Sequence, residues 1–285
     1  MIKFFLNGVH YLMNNNSIMF SVLMSLYHKE KYYYFDKCLE SLYFQTLPIT
    51  EIILVLDGAI NDYLIKTINK WKNKLPLKIY PLEVNVGLGN ALNFGLKKCQ
   101  FEIVFRMDTD DICLPNRFEK QIEYITNNPD ILLLGSATEE FDENMENSFG
   151  YRTNPTEHNA IVNYAKKRNP FNHMTVAFKK DAVLSVGGYQ HHLFMEDYNL
   201  WIRMISSGYK VANLPDVLVK VRAGNSMVTR RKGIKYIKSE YKLAKLKIKT
   251  HLDNSFSAYS IFLLRSIPRI LPTSFLSKIY KILRK

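Results

Sequence analysis

The sequence predicts an α/β fold: a doubly wound, mostly parallel sheet flanked by helices, followed by a basic helical extension. Three observations carry this expectation. Short apolar and β-branched runs alternate with amphipathic segments over the first 140 residues, the pattern of strands joined by crossover helices. Two of those runs end in acidic residues, at the sheet edge where open α/β folds bind their ligands. With 285 residues, 47% of them hydrophobic and 23% charged, the chain can bury a substantial core.

The elements follow in order. MFSVLMSLY (19–27) reads as a buried strand, closed by the polar turn HKEK. Asp36 to Gln45 carries Cys38, Leu39, Leu42 and Tyr43 at helical spacing. EIILVLDG (51–58) is a second buried strand, residues 60–72 a helix, and LKIYPL (77–82) a third strand. Gly87 to Lys98 reads as a helix, and FEIVFRM (101–107) as a strand that stops at DTDD. Pro115 suits the first turn of the next helix, and ILLLGSATE (131–139) is a fifth strand. Beyond residue 150 the pattern loosens. NPFNHMTVAFKK (169–180) is expected to be an exposed loop entering a strand, and VANLPDVLVKVR (211–222) a hairpin or edge pair around Leu214–Pro215. MEDYNLWIRMISSGY (195–209) has Leu200, Trp201, Met204 and Ile205 on one helical face, and 226–250 reads as a long basic helix.

Charge divides the chain. The net charge is +13, and the stretch from Arg230 holds fifteen Lys and Arg against only Glu240 and Asp253. The first 229 residues therefore balance. Three parts are expected: an N-terminal extension (1–18), an α/β domain (19–229) and the basic helical extension (230–285). A neutral body with a cationic end suggests a localised contact, and no nucleic-acid module is recognisable. Phe256, Tyr259, Leu263, Leu264, Phe275, Leu276 and Ile279 are interleaved with Lys and Arg there, as in a helix lying on anionic lipid. A basic helix that merely aids solubility is the plainer alternative. No apolar run nears the roughly 20 residues that span a bilayer. The opening has no continuous apolar core or cleavage site of a secretory signal, and Met19 is an alternative start. Three scattered cysteines, Cys38, Cys99 and Cys113, make neither a disulfide framework nor a metal knuckle. A cytoplasmic protein is expected.

Three acidic sites could carry chemistry. Asp108-Thr109-Asp110-Asp111 packs three carboxylates behind an apolar strand; oxygen donors of this kind suit Mg²⁺ or Mn²⁺ with a phosphate, although a solvated acidic turn is equally common. Arg106 nearby favours the ionised form. Asp57 ends a strand and could accept from a ribose or a base N–H, or could be a plain turn residue. Glu196-Asp197 opens a helix, where an acid is by default a cap or dipole partner and otherwise a general base. NVGLGNALNFG has Leu92 where a dinucleotide fingerprint needs its third glycine, and His158, His173, His191 and His192 lack zinc spacing.

Taken in order, SVLMSLYHKEKY, EIILVLDG, NVGLGNALNFGL, RMDTDDICLPNRFEKQ, NPFNHMTVAFKK, GGY, MEDYNLWIRMISSGYKVANLP and VRAGNSMVTRR resemble the family-2 glycosyltransferases. The likeness is greatest to the amylovoran-type branch that builds bacterial exopolysaccharide and O-antigen. The resemblance implies a GT-A fold and transfer of a sugar, with inversion, from a nucleotide donor, by default a UDP-sugar. It implies a glycan or lipid-linked glycan acceptor and a peripheral position on the inner face of the cytoplasmic membrane. By motif, Asp57 matches the nucleobase contact, and Ser25, Tyr27 and Glu30 the first nucleotide-facing loop. Asp108 matches the ribose-side acid and Asp110 the ligand of the divalent metal. Asp197 matches the catalytic base, with Glu196 beside it, and Arg222 is a candidate diphosphate contact. Leu56 and Leu92 depart from the usual Asp and Arg. A non-catalytic nucleotide-sugar or membrane-surface binding protein on the same fold is the alternative, but such a site would be expected to lose one of its four aspartates. A nucleotidyltransferase would need a basic Gly-rich loop that is missing near the first strand.

Overall fold

The computed structural model describes residues 18–223 and 233–270. The expected N-terminal extension apart from Ile18, most of VRAGNSMVTRR and the apolar tail from Leu271 onward lie outside these residues.

Strands β1 (Phe20–Leu26), β2 (Glu51–Leu56), β3 (Leu77–Pro81) and β4 (Ile103–Arg106) run parallel in the order β3-β2-β1-β4. Helices α1 (Tyr32–Tyr43), α2 (Asp62–Trp71) and α3 (Leu88–Leu96) connect them. The two-residue period of β1 sends Val22, Met24 and Leu26 into one apolar layer and Leu23 into the other. Helices α1 and α2 cover the first layer with Phe35, Leu39, Leu64 and Trp71; α3 covers the second with Ala91, Leu92 and Leu96. Leu92 is thus a core residue. A Cβ on Gly95 would come within 2.5 Å of Leu23 Cδ1, so only glycine lets α3 lie this close to the sheet.

The second half is mixed rather than parallel. It comprises β5 (Ile112–Cys113), α4 (Arg117–Asn127), β6 (Ile131–Phe141), β7 (Ser148–Arg152), α5 (His158–Ala165), β8 (Ala177–Lys179), α6 (Lys180–Ser185), α7 (Glu196–Ser206) and β9 (Lys210–Arg222). Strand β8 runs antiparallel to both β4 and β6, whereas β9 is parallel to β6 and carries β5 antiparallel at the edge.

Two expectations are corrected here. VANLPDVLVKVR is one continuous strand, not a hairpin. Its pairing with β6 jumps from Ser136–Leu214 to Ala137–Val217, so Pro215 and Asp216 bulge out where proline's missing donor costs nothing. NPFNHMTVAFKK is largely buried, not exposed. Asn172 donates to the carbonyls of Ser136 (2.9 Å) and Arg152 (3.2 Å), and Phe171 meets the Trp201 ring at 5.7 Å.

The basic extension folds onto the body. Helix α8 (Ile234–Lys249) packs on α7, and α9 (Ser255–Ile270) packs on α8. Part of its charge is buried as structure: Lys247 Nζ donates to the Lys166 carbonyl at 2.7 Å, and Arg265 pairs with Glu240 at 2.7 Å.

Candidate active site

Parallel strands end on one edge, and the order β2-β1-β4 lines up Asp57, Tyr27 and Asp108 along it. Neighbouring strands are about 4.8 Å apart, so Asp57 and the acidic run straddle the end of β1 roughly 10 Å from one another.

Below the acidic run lies a buried basic support. Arg117 on α4 donates from Nη2 to the Arg106 carbonyl (2.8 Å) and from Nε to Gln121 Oε1 (3.1 Å). Arg106, 1% exposed, is ion-paired with Asp108. Its Nε and Nη1 have no hydrogen-bond partner among the described residues. The Cys38 thiol donates to the Asp108 carbonyl at 3.2 Å, and Thr109 Oγ1 donates to Glu30 Oε2 at 2.8 Å. Strand β9 then delivers Arg222: its backbone N–H donates to Asp111 Oδ1 (3.0 Å), its Nε to the Asp110 carbonyl (2.7 Å), and its guanidinium lies 4.0 Å from the centre of the Tyr34 ring. Arg222 therefore braces the acidic turn.

Carboxylate oxygens of Asp108, Asp110 and Asp111 lie within 4.8 Å of one another. Burial, then the Asp108 and Glu30 charges, push Asp110 up to about 7. Burial and the other two aspartates raise Asp111 further, and burial raises Glu30. A hard divalent ion would compete with protons for Asp110 and Asp111. The all-oxygen donor set fits Mg²⁺ or Mn²⁺.

Asp57 is held by the loop before α3. Val86 N–H donates to its Oδ1 (2.7 Å); Gly87 N–H (3.1 Å) and Asn85 Nδ2 (3.0 Å) donate to its Oδ2. Three of the four lone-pair positions of the carboxylate are thereby used, leaving one on Oδ1. Gly87, at φ +84°, makes the turn that brings its N–H round to Asp57. Ser25 is half-buried one residue before the end of β1, and Tyr27 stands exposed just beyond it.

Asp197 and Glu196 open α7. The Asp197 Oδ2 accepts from Asn169 Nδ2 at 2.6 Å, and burial raises its affinity for a proton. Glu196 packs over the first turn of α3, where a Cβ on Gly89 would meet its Cγ at 3.3 Å. Since Asp57 holds Gly87 and Glu196 covers Gly89, both acidic sites border the same helix N-terminus. A second bridge crosses behind them. Tyr189, 2% exposed, hydrogen-bonds His173 Nε2 at 2.9 Å, and both rings lie in the field of Arg106. Burial and that guanidinium hold His173 neutral. The Arg106 charge also reaches Asp197, where it is a smaller influence than burial and the Asn169 hydrogen bond.

The structure thus brings Ser25, Tyr27, Glu30, Asp57, Asp108, Asp110, Glu196, Asp197 and Arg222 to one end of the fold. Four further residues contribute, to which the sequence reading gave no role. Tyr189 follows the Gly187-Gly188 turn, Asn169 and His173 lie in the segment read as an exposed loop, and Asn85 precedes the glycine turn. None carries a signal of its own, because each acts through a contact made across the fold.

Comparison with known proteins agrees with this architecture. The chain is 51% identical over 267 residues to the "Amylovoran biosynthesis glycosyltransferase AmsE" of Erwinia amylovora, covering 94% of this chain and 100% of that protein. It is 39% identical over 274 residues to an Escherichia coli "UDP-Gal:alpha-D-GlcNAc-diphosphoundecaprenol beta-1,3-galactosyltransferase", covering 94% of this chain and 98% of that one. Among solved structures, S. aureus TarS 1-349 in complex with UDP-GlcNAc superposes with a TM-score of 0.65 at 20% identity, covering 87% of this chain and 72% of that one. The fold is GT-A, a mixed sheet between helical layers. Residues 21–192 match the family model "Glycosyl transferase family 2", and the chain belongs to that family.

Proposed function

We propose that this glycosyltransferase moves a sugar from a UDP-sugar to a lipid-linked glycan in bacterial surface polysaccharide biosynthesis, with inversion and with a divalent metal. The observation that carries the reading is that Asp57 and Glu196 border the same α3 N-terminus, Asp57 accepting from the Gly87 N–H and Glu196 lying against Gly89, with the Asp108, Asp110 and Asp111 carboxylates at the neighbouring strand end. The named activity of the Escherichia coli relative supports the donor and acceptor classes, and the name of the Erwinia amylovora relative supports a place in polysaccharide biosynthesis.

In this reading Asp57 offers its remaining lone pair to a nucleobase N–H, while Ser25, Tyr27 and Glu30 line the nucleoside. Asp108 takes the ribose side, and Asp110 is the residue that would hold Mn²⁺ or Mg²⁺. When bound, the metal supplies positive charge that offsets the charge developing on the leaving diphosphate. Arg222 adds a fixed cation beside the same turn. Asp197 receives the proton of the acceptor hydroxyl. Asn169 fixes its Oδ2, and its raised proton affinity makes it a better base than a solvated aspartate. Glu196 shields this carboxylate on the α3 side. The basic C-terminal segment keeps the protein at the inner face of the cytoplasmic membrane, where a lipid-linked acceptor is presented.

The test is a panel of radiolabelled nucleotide sugars, incubated with the purified protein and bacterial lipid extract, with Mn²⁺ or with a chelator. Label is expected in the lipid fraction from one UDP-sugar and only with the metal. Absence of transfer from every donor would overturn the reading, and equal transfer in chelator would remove the metal.

A further inference from the structure

We propose that the α8–α9 hairpin is a built surface for an anionic bilayer, with α8 facing the headgroups and α9 entering the acyl boundary. This deepens the membrane reading above and rests on it, since it names the faces that make the contact.

The two helices have unusual outer faces. On α8, Lys235, Lys238, Lys242, Lys245 and Lys249 alternate at spacings of three and four, and all five are exposed. They form one row along the helix. The opposite face, with Tyr236, Leu243 and Ala244, is buried on the body. Helix α9 is inverted relative to an ordinary surface helix. Phe256 is 85% exposed, and Leu263, Leu264 and Ile267 are also exposed, at the spacing of a single stripe. Its polar Arg265 and Ser266 face inward instead. The rows adjoin: Tyr241 of α8 stacks on Tyr259 of α9 at 6.2 Å, and Lys245 Nζ lies 4.7 Å from the Tyr241 ring.

Charge selects the occupant. A second copy docked symmetrically through α9 would bring two lysine rows together, whereas anionic headgroups complement them. No helix among the described residues is long and apolar enough to cross a membrane, so the hairpin lies on the bilayer. It is also tied to the transfer site. Tyr236 stacks on Phe194 at 5.6 Å, and His192 Nε2 is 2.9 Å from the Ser239 carbonyl. Phe194, just ahead of Glu196, thus joins the body-facing side of α8 to the segment that carries Asp197.

The full chain would be floated with vesicles of phosphatidylcholine, alone or mixed with phosphatidylglycerol. Binding is expected only to the anionic vesicles. Combined Lys238→Gln, Lys242→Gln and Lys245→Gln should weaken it about 100-fold, and combined Leu263→Ser and Leu264→Ser about 10-fold. Circular dichroism and UDP binding with Mn²⁺ should be unchanged in both. Equal binding to neutral vesicles, or variants that bind like the parent, would overturn the proposal. So would a dimer in solution that the Leu263→Ser, Leu264→Ser variant dissociates. Loss of UDP binding in the parent would instead count against the proposed transfer reaction and leave the vesicle result standing.

Discussion

The two halves of the site are held by different means. On the side proposed for the nucleotide, strands β1, β2 and β4 deliver Asp57 and Asp108 to one edge by register, and backbone N–H groups of Val86 and Gly87 secure Asp57. On the side proposed for the acceptor, Asp197 begins a helix and is fixed by a side chain from elsewhere in the fold, Asn169, near the buried pair of Tyr189 and His173. Backbone geometry tolerates substitution. A side-chain network does not, and a change there should affect rate more than fold.

The largest expected effect is at Asp197. Asp197→Asn should reduce transfer about 1,000-fold, the size of a lost general base, while UDP affinity measured by calorimetry stays within about twofold. Near-normal turnover would place the base elsewhere. Asp110→Asn should lower transfer about 100-fold and make the remainder insensitive to Mn²⁺ concentration; an unchanged metal dependence would remove Asp110 from the ligand set.

Arg106 tests whether the halves communicate. Arg106→Met leaves Asp108 without its buried partner, a loss of about 3–5 kcal/mol in stability that urea unfolding would read. Arg106→Lys should restore most of the stability but less of kcat, because a lysine ammonium on a flexible stem does not hold Asp108 as the planar guanidinium does. Equal recovery of both would make Arg106 purely structural. Asp57→Asn is smaller. It weakens contacts to Val86 and Gly87 and should cost about 1–3 kcal/mol, with a raised KM for the donor and little change in kcat.

The smallest effect lies outside the site. Burial lowers Lys247 to about 8, below the 10.5 of a free lysine. Between these values the unfolded chain holds a proton that the folded one has released, so this residue makes stability rise with pH there. The rise amounts to at most about 3 kcal/mol. Urea unfolding from pH 7.5 to 10 should show that Lys247→Met flattens this slope; an unchanged slope would mean the ammonium is solvated.

Legibility in the sequence follows the same division. The parallel half could be read because strand ends and acidic residues coincide in the chain: EIILVLDG and FRMDTDD are each a strand and its functional end in one string. The mixed half could not. Pro215 looks like a turn residue, and nothing local reveals that β6 shifts register to accept it as a bulge. Asn172 looks like a loop residue until its amide is seen bonded to two buried carbonyls. The Lys row of α8 is visible as a repeat, but the burial of Lys247 within the same helix depends on the Lys166 carbonyl across the fold.

The most direct test of whether Asp110 and Asp197 serve one bound nucleotide sugar is anomalous diffraction from crystals grown with UDP and Mn²⁺. The expected result is a manganese peak between the Asp110 carboxylate and the UDP phosphates, with the Asp197 carboxylate facing the terminal phosphate across the cleft. A peak away from Asp110, or UDP bound with Asp197 turned from it, would contradict the shared site.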